Sequence, residues 1–207
     1  GFRTACNAYE AAKNHTLEQG KAWDIFMELA HCELVHPEDM KRPAELGILI
    51  NWTPHWAGGY FGEAAIEYLG QERWNTMYDF TGMIKTGATV TYSSDVIGEN
   101  EEYRADPYFG MEISATRVDL SHPLNPDKYP GSVRPPINAR LTVEQMIDGY
   151  TRAGAVPFRM SDKIGTIEEG KYANLAVLNK NIFEISADEI HMVKAELVMF
   201  EGEFIKK

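Results

Sequence analysis

The chain has 207 residues, 44% of them hydrophobic, with a formal net charge of −11 at pH 7, enough apolar content for a real core in one medium domain or one and a half small ones. The acidic balance leaves no basic stripe to neutralise phosphates, which argues against a nucleic-acid partner, and the apolar runs fall far short of a membrane span. Two cysteines, Cys6 and Cys32, make no disulfide framework and are compatible with a reducing, cytoplasmic setting.

Phe2, Ala5, Cys6, Tyr9 and Ala12 recur at helical spacing, so the chain opens inside a helix. It does so without an initiator Met or a visible signal peptide, and the natural N-terminus is expected upstream. Ile25–Leu29 reads as a buried strand running into His31. Pro37-Glu38-Asp39 then opens a short helix that Gly47 closes. Ile48–Ile50 is the second strand, leading through Trp52 and Pro54 to His55. Helices follow over Glu63–Leu69 and roughly Glu72–Lys85, with Gly87 as the cap. Ala88–Tyr92 is the third strand and leads to Asp95. This alternation of strands and helices implies parallel strands joined by crossovers.

An acidic loop, Glu99–Asp106, precedes a helix over Tyr108–Leu120. Five of the ten prolines fall in Ser121–Arg140, an irregular excursion. Thr142 is placed to cap the helix Val143–Ala153, with Gln145 in capping-box position. From Gly165 the character changes to short strands, Leu175–Leu178, Val193–Phe200 and Glu203–Lys206, with Glu201-Gly202 as a hairpin turn. A domain boundary near Ser161–Gly165 divides residues 1–162 from 163–207. Three βα units are too few for an (β/α)₈ barrel, so a barrel reading makes the chain only the last part of one.

Each parallel strand ends on a residue suited to metal or acid/base chemistry, and the C-terminal strand ends of such sheets share one face. In the third strand Thr89, Thr91, Ser93 and Asp95 share a face, with Ala88, Val90 and Tyr92 opposite. In the second, Asn51, Thr53 and His55 share one, unless Pro54 bends the strand. Taken singly these residues have ordinary explanations: Asp95 as a turn aspartate, His31 as a core histidine, His55 in an aromatic cluster with Trp52 and Trp56. His36 belongs to the helix start before Pro37. His15, His122 and His191 read as surface or loop residues, and the cysteines as small core residues. Trp52, Trp56, Tyr60, Phe61 and Tyr92 form an aromatic neighbourhood that hints at an apolar or aromatic substrate group, although core packing suits Trp52 and Tyr92 better.

Four segments carry a resemblance. Gly165-Thr-Ile-Glu-Glu-Gly-Lys-Tyr-Ala-Asn-Leu-Ala-Val-Leu178 resembles the C-terminal signature of the amidohydrolase superfamily. Ala30-His-Cys-Glu-Leu-Val-His-Pro-Glu-Asp39, together with Thr53-Pro-His-Trp56 and Ser93-Ser-Asp95, is similar to its amidohydrolase-3 branch, which includes N-substituted formamide deformylase-like enzymes. The resemblance runs over nearly the whole chain. It implies an α/β fold, the C-terminal part of a TIM-like (β/α)₈ barrel over residues 1–162 plus C-terminal strands of a small composite β-sandwich over 163–207. It further implies a divalent metal, usually zinc, and hydrolysis of a non-peptide carbon–nitrogen bond in a small-molecule substrate. His31 matches the strand-six metal ligand, and Asp95 the strand-eight aspartate that binds metal and acts as general base. His55 matches the strand-seven histidine facing substrate. Trp56 lies beside it, and Arg117 occupies a position where this branch commonly carries Arg.

Asn174 stands where the superfamily usually has Asp, a departure expected to touch only sandwich packing. The other family ligands, a paired His-x-His, a strand-four ligand and a strand-five histidine, are not in this sequence. The chain is therefore expected to be a C-terminal fragment that binds metal weakly and is inactive by itself. Two alternatives stay open: a non-catalytic regulatory or binding protein on a degenerate amidohydrolase scaffold, and a self-standing α/β binding domain whose open sheet edge is covered within the chain or by a second copy, a homo-oligomer.

Overall fold

A computed structural model describes residues 1–96, 98–99, 101–120 and 133–206. The opening helix α1 (Phe2–Glu18) turns Cys6 and Tyr9 into the core. Strand β1 (Glu28–Ala30) starts three residues later than expected. The reason lies in the main chain: Ile25 O accepts from the Tyr9 hydroxyl at 2.8 Å and Asp24 O from Arg159 at 2.9 Å, so side chains hold the stretch that a sheet would otherwise hold. Ile25 and Phe26 stay exposed.

The 3₁₀ turn Pro37–Asp39 is capped by the His36 ring, which accepts from the Glu38 N–H, in keeping with the place of His36 at the helix start. Helix α2 (Arg42–Leu46) ends at Gly47, whose left-handed φ of 74° suits glycine. Strand β2 (Leu49–Trp52) runs into a 3₁₀ turn, Pro54–Ala57, so Pro54 does end the alternation of faces. Helices α3 (Ile66–Leu69) and α4 (Gln71–Trp74) follow, and the long helix expected to reach Lys85 is broken. Tyr78 takes φ 57°, Asp79 accepts from the Gly82 N–H at 2.9 Å, and a new helix α5 (Phe80–Lys85) begins. A short Asp side chain competing for main-chain donors favours a cap over helix continuation.

Strand β3 (Val90–Tyr92) completes a sheet of order β1-β2-β3, parallel throughout, with Ala30 opposite Asn51 and Asn51 opposite Thr91. One face is polar: Ser93 Oγ donates to Asn51 Oδ1 at 2.6 Å, and Asn51 Nδ2 to Glu28 Oε1 at 2.9 Å. The other is apolar and covered. Trp52 packs on Phe80 with ring centroids 4.3 Å apart, and Tyr92 packs on Tyr150 at 5.1 Å. Both aromatic residues serve the core, as their outward strand positions required.

Helix α6 (Pro107–Thr116) stops short of Leu120 because Arg117 turns left-handed at φ 66°. Helix α7 (Val143–Tyr150) starts with the full Thr142–Gln145 capping box. The C-terminal strands β4 (Leu175–Leu178), β5 (Ala195–Phe200) and β6 (Glu203–Lys206) form a separate antiparallel sheet. Its hairpin turns on Glu201 and Gly202, both at positive φ. Asn174, the departure from the expected Asp, acts locally. Its Oδ1 accepts from the Glu201 N–H at 2.7 Å and pins that turn. His122 and most of the proline-rich excursion lie outside the described residues.

Candidate active site

The site is built where β1, β2 and β3 end. The His31 N–H still donates to Asn51 O at 2.8 Å, which extends the parallel ladder one residue beyond β1. The backbone then turns left-handed at His31 (φ 68°) and Cys32 (φ 42°), so strict strand alternation no longer decides where these side chains point. The His31 imidazole lies flat on the indole of Trp56, centroids 4.8 Å apart and planes 7° from parallel. Its Nδ1 is buried and has no hydrogen-bond partner among the described residues. Cys32 is no nucleophile: burial pushes its thiol up to about 12, and its Sγ sits 3.4 Å from Leu29 O.

His55 comes from the Pro54–Ala57 turn, which α6 backs directly. A Cβ on Gly110 of that helix would stand 3.3 Å from Pro54 Cβ, so only glycine permits this approach without adjustment. His55 is buried, meets Trp56 edge-on at 6.0 Å, and leaves Nε2 without a partner among the described residues. Burial, reinforced by the Arg104 cation, lowers its pKa to about 4 against the opposing pull of Asp119. The ring is therefore neutral at pH 7 and, as the Nε2–H tautomer, a hydrogen-bond donor. One indole thus touches both imidazoles and holds them in one neighbourhood.

Asp95 follows β3 at φ 48° and is partly buried. Among the described residues no group of three or more His, Cys, Asp or Glu side chains is placed to hold a metal ion. The residue types, imidazole and carboxylate, are ones that zinc accepts. What is short is the number of donors.

Arg117, expected where this branch commonly carries Arg, lies in the core. Its guanidinium is fully buried and donates to four main-chain carbonyls: Tyr78 at 2.8 Å, Pro135 at 2.9 Å, and Met77 and Arg134 at 3.2 Å. These contacts tie α6 to two loops. His191 is exposed, as expected of a surface or loop residue, and also makes contacts inward. It donates its N–H (2.9 Å) to Oε2 of the buried Glu112, and its Nδ1 lies 2.6 Å from the same oxygen, fastening the C-terminal part to α6. The residues around His55 that the sequence did not single out are Arg104, paired with Glu101 at 3.4 Å, and the buried Asp119. Neither had a signal in spacing, because both arrive from loops distant in sequence. Phe61, which stacks on Trp56 at 5.6 Å, lay within the aromatic run.

A sequence model described as amidohydrolase family matches residues 2–205. N-substituted formamide deformylase of Arthrobacter pascens is 25% identical over 201 residues, which are 95% of this chain and 33% of that protein. The chain therefore spans about a third of the length of this curated relative. Among solved structures, an uncharacterized metal-dependent hydrolase from Pyrococcus horikoshii OT3 superposes with a TM-score of 0.60 at 19% identity, covering 87% of this chain and 33% of its own. Atrazine chlorohydrolase of Arthrobacter aurescens TC1, complexed with zinc, gives 0.55 at 17% identity, covering 87% and 36%. At these identities the structural likeness establishes a shared fold over that region.

Proposed function

Since the chain belongs to the amidohydrolase family, we propose that it is the C-terminal portion of a metal-dependent hydrolase of non-peptide amide-type bonds. On this reading β1–β3 are the last three strands of a (β/α)₈ barrel, and β4–β6 belong to a composite β-sandwich. What supports it is that His31, His55 and Asp95 each follow the C-terminal end of one of three parallel strands, with the rings of His31 and His55 both against Trp56. His31 and Asp95 would hold the ion. When bound, a divalent ion supplies Lewis acidity that makes water nucleophilic near neutral pH and polarises a carbonyl.

The chain's own residues supply the rest. Asp95 accepts the proton of the attacking water and delivers it to the leaving nitrogen. His55, neutral because burial and Arg104 depress its pKa, donates from Nε2 to the carbonyl oxygen as negative charge develops there. A neutral donor suits this role, since it does not need to lose charge as the product departs. The site takes a small-molecule amide, and N-substituted formamides, the substrates in the relative's name, are the first to try.

Catalytic zinc normally has three protein ligands, and this chain offers His31 and Asp95. The 207-residue polypeptide is expected to bind zinc weakly and to hydrolyse nothing. A longer polypeptide that carries the remaining donors is expected to hold zinc stoichiometrically and to cleave N-substituted formamides. Metal analysis and amide hydrolysis on both would decide. Tight zinc and turnover in the short chain would overturn the two-donor reading. Stoichiometric zinc without hydrolysis of any amide in the long one would favour a non-catalytic scaffold.

A further inference from the structure

The three parallel strands are tied together on their polar face by side chains as well as by the main-chain ladder. Asn51 Nδ2 donates to Glu28 Oε1 of β1 at 2.9 Å, and Asn51 Oδ1 accepts from Ser93 Oγ, just past β3, at 2.6 Å. The two bonds run obliquely across the sheet. Glu28 lies opposite Leu49, and Asn51 opposite Thr91, so each bond reaches a residue two positions further along the next strand. A carboxylate only accepts, so the Asn51 amide is fixed with its nitrogen toward Glu28 and its oxygen toward the Ser93 hydroxyl. A slip of one residue in either pairing would turn these side chains to opposite faces and break the line.

The line crosses the sheet where the strands release the residues of the candidate site. Asn51 O accepts from the His31 N–H at 2.8 Å, and Trp52 O accepts from the Ser93 N–H at 2.9 Å. At or just past these bonds both neighbouring strands leave the extended conformation. His31 takes φ 68°, and Asp95, two residues after Ser93, takes φ 48°. A non-glycine residue keeps such a conformation when its surroundings hold it there. Asn51 reaches both departures, His31 through its main chain and Ser93 through its side chain. His55 follows Asn51 by four residues, in the turn after β2.

We infer that Asn51 is a positioning residue: its carboxamide spans from Glu28 to Ser93 and thereby sets the place of Asp95 relative to His31 and His55. This rests on Asp95 being the proton acceptor in amide hydrolysis, as proposed above. The role asks no chemistry of the amide itself, which acts through the strand end that carries Asp95.

The test measures kcat and KM of the full-length protein on N-substituted formamides, with Tm recorded for each variant. Asn51→Leu removes both bonds, and Ser93→Ala removes the second. Each is expected to lower kcat about 10- to 100-fold with KM unchanged, as displacements of up to about 1 Å do. Ser93→Thr restores the hydroxyl and should recover most of the loss seen in Ser93→Ala. Asn51→Asp sets two carboxylates against each other and should lower kcat. Combining it with Glu28→Gln exchanges amide and carboxylate, allows both bonds again and should recover most of kcat. Asn51→Leu with Ser93→Ala should cost no more than Asn51→Leu alone, because the two side chains act as one unit. Wild-type kcat in Asn51→Leu and Ser93→Ala, with only Tm lowered, would make the line merely structural and overturn the inference while leaving the hydrolase reading intact. A raised KM with unchanged kcat would make Asn51 a substrate contact and overturn it equally. A full-length wild type that hydrolyses no N-substituted formamide would remove the reading of the site, and the inference with it. Should Asn51→Leu fail to fold, as judged by circular dichroism, Ser93→Ala and the Glu28–Asn51 exchange decide. Wild-type kcat in Ser93→Ala, or an exchange that recovers nothing, would then refute.

Discussion

Replacing Gly58 by alanine opposes two effects of known sign beside the candidate site. Gly58 sits at φ −97° and ψ 141°, an extended backbone that alanine adopts freely. Reduced freedom of the unfolded chain alone would therefore stabilise Gly58→Ala by about 0.4–1 kcal/mol. Against this, the new Cβ would lie 2.8 Å from both Asp119 N and Val118 O and 2.9 Å from Asp119 Cα, where carbon contacts are comfortable near about 3.5–4.0 Å. These are main-chain atoms and cannot rotate away. The segment they belong to is held by Arg117 O, which accepts from Gly59 and Arg134, each at 2.9 Å. Forcing such overlap costs typically about 1–3 kcal/mol, so the clash wins and the net loss is about 1–2 kcal/mol. For a chain of this size that lowers Tm by roughly 2–8 °C. Differential scanning calorimetry of the 207-residue polypeptide measures it. A Tm equal to or above wild type would show that the Trp56 turn is not clamped against Asp119.

Arg117→Met removes the donors to four main-chain carbonyls, of which Tyr78 O keeps the Phe80 N–H, and at about 1–3 kcal/mol for a stranded polar group it should cost about 3 kcal/mol or more. Arg117→Lys should recover only part of this, because an ammonium lacks the planar fork; urea midpoints equal to wild type would refute the structural role. His191→Ala is expected to cost about 1–3 kcal/mol by leaving the buried Glu112 with fewer donors, and Glu112→Gln combined with it should cost less than the two alone. Strict additivity in that cycle would mean that the pair is not coupled. The pH dependence follows from His55, whose folded pKa of about 4 lies below its ordinary 6.5. Between those values the unfolded chain binds more protons, so the His55 contribution to stability is present above about 6.5 and is lost as pH falls through that window. Melting temperatures at pH 7, 5.5 and 4.5 should fall more steeply in wild type than in His55→Gln, and parallel curves would contradict the burial of this ring.

The alternation of apolar runs with helical patterns was sufficient to specify three parallel strands, because period and punctuation are local properties. The same holds for the Thr142–Gln145 capping box, the Gly47 cap and the Glu201-Gly202 turn, each set by the conformational preference of one or two residues. Residue types and short motifs also singled out His31, His55 and Asp95, since few side chains can do hydrolytic chemistry and these stand at strand ends.

Tertiary structure decided what depends on partners distant in the chain. The start of β1 depends on Tyr9 and Arg159 capturing the carbonyls of Ile25 and Asp24. The break before α5 depends on the Tyr78 N–H meeting Glu33 O at 2.7 Å. Arg117 is held only because four carbonyls from separate segments converge on it, and the His55 pKa is lowered only because burial and the Arg104 cation outweigh the pull of Asp119. Local sequence sets φ and ψ preferences and the spacing of side chains along one element. Burial, and with it the charge state of an imidazole and the value of a hydrogen bond, is set by whatever packs against that element.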